Sequence, residues 1–161
     1  PVTRDKKPPP AISDLVKPKG NPANGQAVFL KAGKCADCHV VNGVGKQVGP
    51  DLSEIGKKLA REVLFEAILY PSASISHNFE TWIIETKQGT TANGVLISKT
   101  AEEVAIKGAD AIVRTFKAAD IDSLVQSPIS LMPADLHQSI TTQELTDLVE
   151  YLATLREARK K

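Results

Sequence analysis

A mainly α-helical fold carrying a small antiparallel sheet is what this sequence predicts, and three observations predict it. Apolar residues recur at helical spacing on either side of the middle of the chain, the stretch 79–116 has strand-like composition, and glycine and proline punctuate the boundaries. The 161 residues suffice for one domain with its own core, or one domain with a sizeable insertion, and are too few for two large ones. Hydrophobic residues at 42% and charged residues at 24% describe an ordinary globular chain. A net charge of +1 gives no global reason to expect nucleic acid or an acidic membrane surface as a partner. No run of about 18 apolar residues is present, so no transmembrane segment is expected, and the N-terminus lacks the apolar stretch of a secretory signal. The expectation is that such a signal was removed or lies upstream.

Along the chain, residues 1–20 come first as a proline- and lysine-rich linker or arm. Pro1, Pro8, Pro9, Pro10 and Pro18, with Lys6, Lys7, Lys17 and Lys19, predict an extended, solvated segment that buries no core. The domain proper is expected over 21–161. Pro22 suits a first helical turn, and Gly25, Val28, Phe29 and Leu30 give that helix an apolar side before Gly33 ends it. Gly43, Gly45 and Gly49 make 40–51 a loop. Leu59, Val63, Leu64, Ala67 and Ile68 predict a second helix near 57–70, stopped by Pro71.

A β-rich insertion is expected over 73–125, with about four strands near 79–86, 94–98, 104–106 and 112–116, turning at Gly89 and at Gly108-Ala109-Asp110. The last helix is announced by the capping pattern Thr141-Thr142-Gln143-Glu144 and by the stripe Leu145, Leu148, Val149, Leu152 and Leu155. Arg156, Arg159, Lys160 and Lys161 at its end suit the helix dipole.

The chemistry is concentrated in Cys35-Ala36-Asp37-Cys38-His39. Two thiols separated by two residues are spaced to add to the two vinyl groups of a haem, and a histidine directly after the second is placed to bind iron from one face. Two alternatives compete. A thioredoxin-like dithiol pair needs a strand before it in a βαβ pattern, and none precedes Cys35. A zinc site would need two of His39, His77 and His137, which lack the usual close spacing. With both cysteines spent on haem, no structural disulfide is expected.

The opposite face of the iron decides between electron transfer and gas binding. Met132, the single methionine, lies in the irregular segment Ser130-Leu131-Met132-Pro133, where Pro133 pushes it towards an extended conformation. Its thioether is the expected ligand. His137 is the main rival, His77 a weaker one, and a methionine filling an apolar gap is the plain alternative. Pro50 is a candidate to accept the other N–H of the ligating imidazole, against a reading in which it merely turns the chain.

These parts, in this order, resemble a class I cytochrome c: Gly25-x3-Phe29, Cys35-x2-Cys38-His39, Gly49-Pro50-Asp51-Leu52, Met132-Pro133 and Leu148-x2-Tyr151-Leu152. The resemblance implies a first and last helix crossing where Gly25 meets Leu148 and Tyr151, with Phe29 beside them, and a Pro50 carbonyl that receives the His39 N–H. The departure is the β segment between the two expected ligands. With Ala67-Ile68-Leu69-Tyr70-Pro71-Ser72, it looks like the haem-binding domain type described for planctomycetes and verrucomicrobia. Members of that type commonly end large secreted dehydrogenase-like polypeptides, so the resemblance implies a location in the periplasm, or otherwise outside the bacterial cytoplasmic membrane, and a fused or docking dehydrogenase as partner.

The expected function is therefore that of a monohaem c-type electron carrier between an oxidoreductase and another redox protein. Cys35 and Cys38 hold the cofactor, His39 and Met132 bind the metal, and no side chain is assigned a catalytic role. The alternative is a haem gas sensor or peroxidase-like protein with an open or labile distal site. A third reading makes the sheet a partner-docking module marked by Phe79 and Trp82, although strand aromatics more often belong to a core.

Overall fold

A computed structural model of the chain describes residues 2–158. Among these residues five helices, α1 (Ile12–Leu15), α2 (Pro22–Leu30), α3 (Ile55–Lys58), α4 (Arg61–Leu69) and α5 (Thr142–Thr154), surround one core. Between α4 and α5 run five strands: β1 (Thr81–Thr86), β2 (Thr91–Lys99), β3 (Glu103–Lys107), β4 (Val113–Lys117) and β5 (Ile121–Ser127). The architecture is thus helical with a substantial sheet, and the mainly α description fits only its helical part. Among the described residues no helix is long and apolar enough to cross a membrane.

The helical part is organised by the α2–α5 crossing. Asn21 caps α2 by accepting from Asn24 N (3.1 Å), and Thr141 caps α5 by accepting from Glu144 N (3.1 Å). At the crossing, a Cβ on Gly25 would stand 1.9 Å from the Asp147 carbonyl oxygen, so only glycine permits this approach. One turn on, Phe29 and Tyr151 meet edge to face, with ring centroids 5.7 Å apart. Asp147, 3% exposed, accepts from Asn21 N (2.8 Å), Asn24 Nδ2 (2.6 Å) and Gln143 Nε2 (2.9 Å), which ties the start of α2 to the middle of α5.

Three sequence expectations change here. The helix expected over 57–70 is two helices, because Leu59 and Ala60 are extended; the break lets Leu59 pack on the core while Gly56 N bonds Leu155 O (2.8 Å) at the end of α5. The arm is not wholly solvated. Leu15 is buried in the core, Thr3 is buried, and Arg4 N donates to Ile140 O (2.8 Å). Arg156 lies beyond the end of α5 and donates to Gly56 O (3.2 Å) rather than capping the helix; Arg159, Lys160 and Lys161, like Pro1, lie outside the described residues.

The sheet has the order β4-β3-β2-β1-β5, all antiparallel. Its two edge strands are joined by only Ala118–Asp120. Four Cα steps reach at most about 14 Å, whereas a flat five-stranded sheet is about 19 Å across, so the sheet must curl until its edges approach. Backbone bonds from Ala118 N to Glu102 O (2.8 Å) and from Lys87 N to Asp120 O (2.9 Å) tie that connection to both sides. The curl encloses a second core of Ile84, Val104 and Ile106, with Leu96, Phe116, Ile121 and Leu124 against it. Four strands are expected from the sequence and five are found. The missed β5 hides its pattern because the register slips between Glu85 and Thr86, so Ile121 and Leu124, three apart, both face inward. β5 also continues two residues past the insertion's expected end at 125.

Candidate functional site

The Cys35–His39 stretch begins where α2 stops. Gly33 N returns to Val28 O (2.8 Å), Lys34 takes a left-handed conformation (φ 52°), and Cys35–Asp37 form a single 3₁₀ turn in which Cys38 N and His39 N both reach Cys35 O. This turn packs Cys35 against the helical core and aims Cys38 and His39 into a cavity. Burial pushes the Cys35 thiol up to about 12, and burial with the nearby Asp37 carboxylate raises Cys38 as well. Neither is the stabilised thiolate that a dithiol oxidoreductase requires, which removes support from that reading. Among the described residues no three or more His, Cys, Asp or Glu side chains converge on a metal-binding cluster, so the zinc reading lacks a ligand set.

The glycine-rich loop then folds back on the histidine. Val48 N and Gly49 N both donate to Cys38 O (2.9 and 2.7 Å), and Leu52 N donates to Val40 O (2.9 Å). The Pro50 carbonyl is thereby brought to 2.7 Å from His39 Nδ1. A carbonyl can only accept, so Nδ1 carries the proton and the Nε2 lone pair is left free. Burial lowers the His39 pKa, with the Pro50 carbonyl opposing, and the ring is neutral at neutral pH. A Cβ on Gly49 would lie 2.5 Å from His39 Cε1, so the imidazole occupies its place because that residue has no side chain.

His39 and Pro50 line one side of a mostly apolar cavity of about 360 Å³. Leu52, Leu64 and Ile68 from the helical part, with Phe79 just before β1 and Val95 from β2, supply other walls. Met132 lines this same cavity, half-buried against the helical core. Its backbone is placed by a relay in which Met132 N donates to Ser130 Oγ (3.1 Å) and Ser130 N donates to Ser72 Oγ (3.0 Å), just past α4. The rivals stand elsewhere. His137 is buried in the 3₁₀ turn Leu136–Ser139 and is not part of the lining; neither of its ring nitrogens has a hydrogen-bond partner among the described residues. His77 is exposed beside Glu80.

The donor set fits a covalently held haem: two thiols, a neutral imidazole with a free Nε2, a thioether and an apolar chamber cradled at Gly49. The cytochrome c family model matches residues 22–156. The chain belongs to the cytochrome c family. A search of curated proteins finds no match. Membership in the cytochrome c family brings with it haem c, bound through the C-x-x-C-H motif that Cys35, Cys38 and His39 form here. Sequence reasoning did not single out the contributions of Leu64, Ile68 and Val95, since nothing in an apolar residue's type separates a cofactor wall from ordinary core. The Ser72–Ser130 bond had no signal at all in the sequence.

Proposed function

We propose that this domain is a single-haem electron carrier in which His39 and Met132 would hold the iron. The observation that carries the reading is that both side chains line one mostly apolar cavity. When bound, haem c supplies a one-electron iron couple. Cys35 and Cys38 tether it, His39 offers Nε2, and Pro50 fixes the ring through Nδ1, which makes the imidazole a better donor. Met132 adds a soft, neutral thioether that favours the ferrous state, raises the reduction potential and denies the iron to small molecules. Ser72 and Ser130 hold that thioether's backbone in place.

The sheet's position between α4 and the Met132 segment supports assignment to class I, in the planctomycete and verrucomicrobial haem-binding type. The donor is an oxidoreductase, docking or carried in the same polypeptide, and the acceptor is a second redox protein. The place of action is the periplasm or another space outside the bacterial cytoplasmic membrane. An equilibrium redox titration of the holoprotein should show one reversible one-electron step per chain, with slow CO binding by the ferrous form. Rapid CO binding by the ferrous wild type would overturn the reading in favour of an open-site sensor.

A further inference from the structure

Residues on the outer face of the curled sheet should be the wet ones, because its inner face is spent on Ile84, Leu96 and Ile106. One row on the outer face is not wet. Thr81, Val95 and Lys107 stand side by side across β1, β2 and β3, and Thr81 and Val95 are 3% and 6% exposed. Of the three, Val95 lines the cavity, as does Phe79 just before β1. At the end of the row, Lys107 Nζ donates to the backbone oxygen of Gln47 (2.8 Å), beside the Val48-Gly49-Pro50 stretch of the same lining.

Building on the electron-carrier reading, we propose that Val95, with Phe79, is the wall by which the inserted sheet closes the haem cavity, and that Lys107, at the end of the same row, is its latch. The loop it grips is held independently, since Val48 and Gly49 are bonded to Cys38 O. The latch therefore fixes the sheet on the loop and leaves the Pro50–His39 bond to the loop itself. Two consequences share one sign. An apolar wall keeps water from the cofactor, and a lysine cation lies at its edge; both favour the reduced state, which carries one less positive charge. Val95 and Lys107 are thus positioning residues that raise the reduction potential from outside the ligand pair proposed above.

The test uses the full chain matured with covalent haem, comparing wild type with Val95→Thr, Lys107→Met and Lys107→Arg. Retention of pigment in acidified organic solvent comes first: if the wild type holds none, the electron-carrier reading has failed and the wall has not been the cause. In pigmented, low-spin protein, the ferrous-to-ferric ratio at a fixed ambient potential should fall several-fold in Val95→Thr and in Lys107→Met, and Lys107→Arg should restore it. Val95→Ala, which opens the same wall, replaces Val95→Thr if that variant does not fold, and the same fall is expected. An unchanged or raised potential at position 95 overturns the wall; an unchanged potential in Lys107→Met overturns the latch.

Discussion

The helical part of this domain buries large side chains where two helix backbones nearly touch, whereas the sheet buries a small set of β-branched and aliphatic residues inside its own curl. In the first, Phe29, Leu145, Leu148 and Val149 are almost fully buried around a crossing that only Gly25 allows. In the second, Ile84 and Ile106 are as deeply buried, yet they belong to a separate cluster that shares no member with the first. The difference teaches that the insertion carries its own stabilisation. It is free to sit against the cofactor cavity without being needed to build the helical frame.

The sharpest way to break that comparison is Gly25→Val. The new side chain has no space beside the Asp147 carbonyl, so α2 and α5 must part, and a loss of about 4 kcal/mol or more is expected in denaturant unfolding. Ile84→Ala sharpens it from the other side. Removing a fully buried side chain from the sheet's core should cost about 2–5 kcal/mol there, read as lost amide-exchange protection in β1, β2 and β3. Protection in α2 and α5 should persist; equal loss in both regions would show one shared core.

Asp147 gives a smaller effect with a definite pH signature. Burial works to raise its pKa, but hydrogen bonds from Asn21, Asn24 and Gln143 together hold it below the usual carboxylate value. The folded value lies below the unfolded one, so the stability this carboxylate contributes is present above the ordinary Asp range and is lost as pH falls through the folded pKa. Asp147→Ala should cost about 1–3 kcal/mol at neutral pH, and its difference from wild type should shrink in acid, measured by urea unfolding across pH. A difference that stays constant with pH would mean that packing, and not charge, is what Asp147 provides.

Much of the helical part was legible because its signals are local. Pro22, the Thr141 cap and the Leu145-to-Leu155 stripe each announce one short-range requirement, and the structure places all of them as those requirements demand; the Gly25 crossing, a long-range contact, came from the family resemblance. The Pro50 carbonyl beside His39 was expected from the resemblance to cytochrome c, whereas spacing alone left Pro50 equally open to a plain turn of the chain. What stayed hidden was non-local. β5 lost its alternation to a register shift against β1, and the break at Leu59 and Ala60 serves contacts with the core and α5. Leu15 gave no sign, amid prolines and lysines, that it would be buried at a distance from its neighbours in sequence.

The central claim is that His39 and Met132 share one iron across the cavity they both line. The far-red absorption of the ferric holoprotein tests it most directly, because a weak sulfur-to-iron band appears there only when a thioether is bound. The account predicts that the band is present in low-spin wild type and absent from Met132→Ala. A wild type without the band, or a variant that keeps it, would contradict the account.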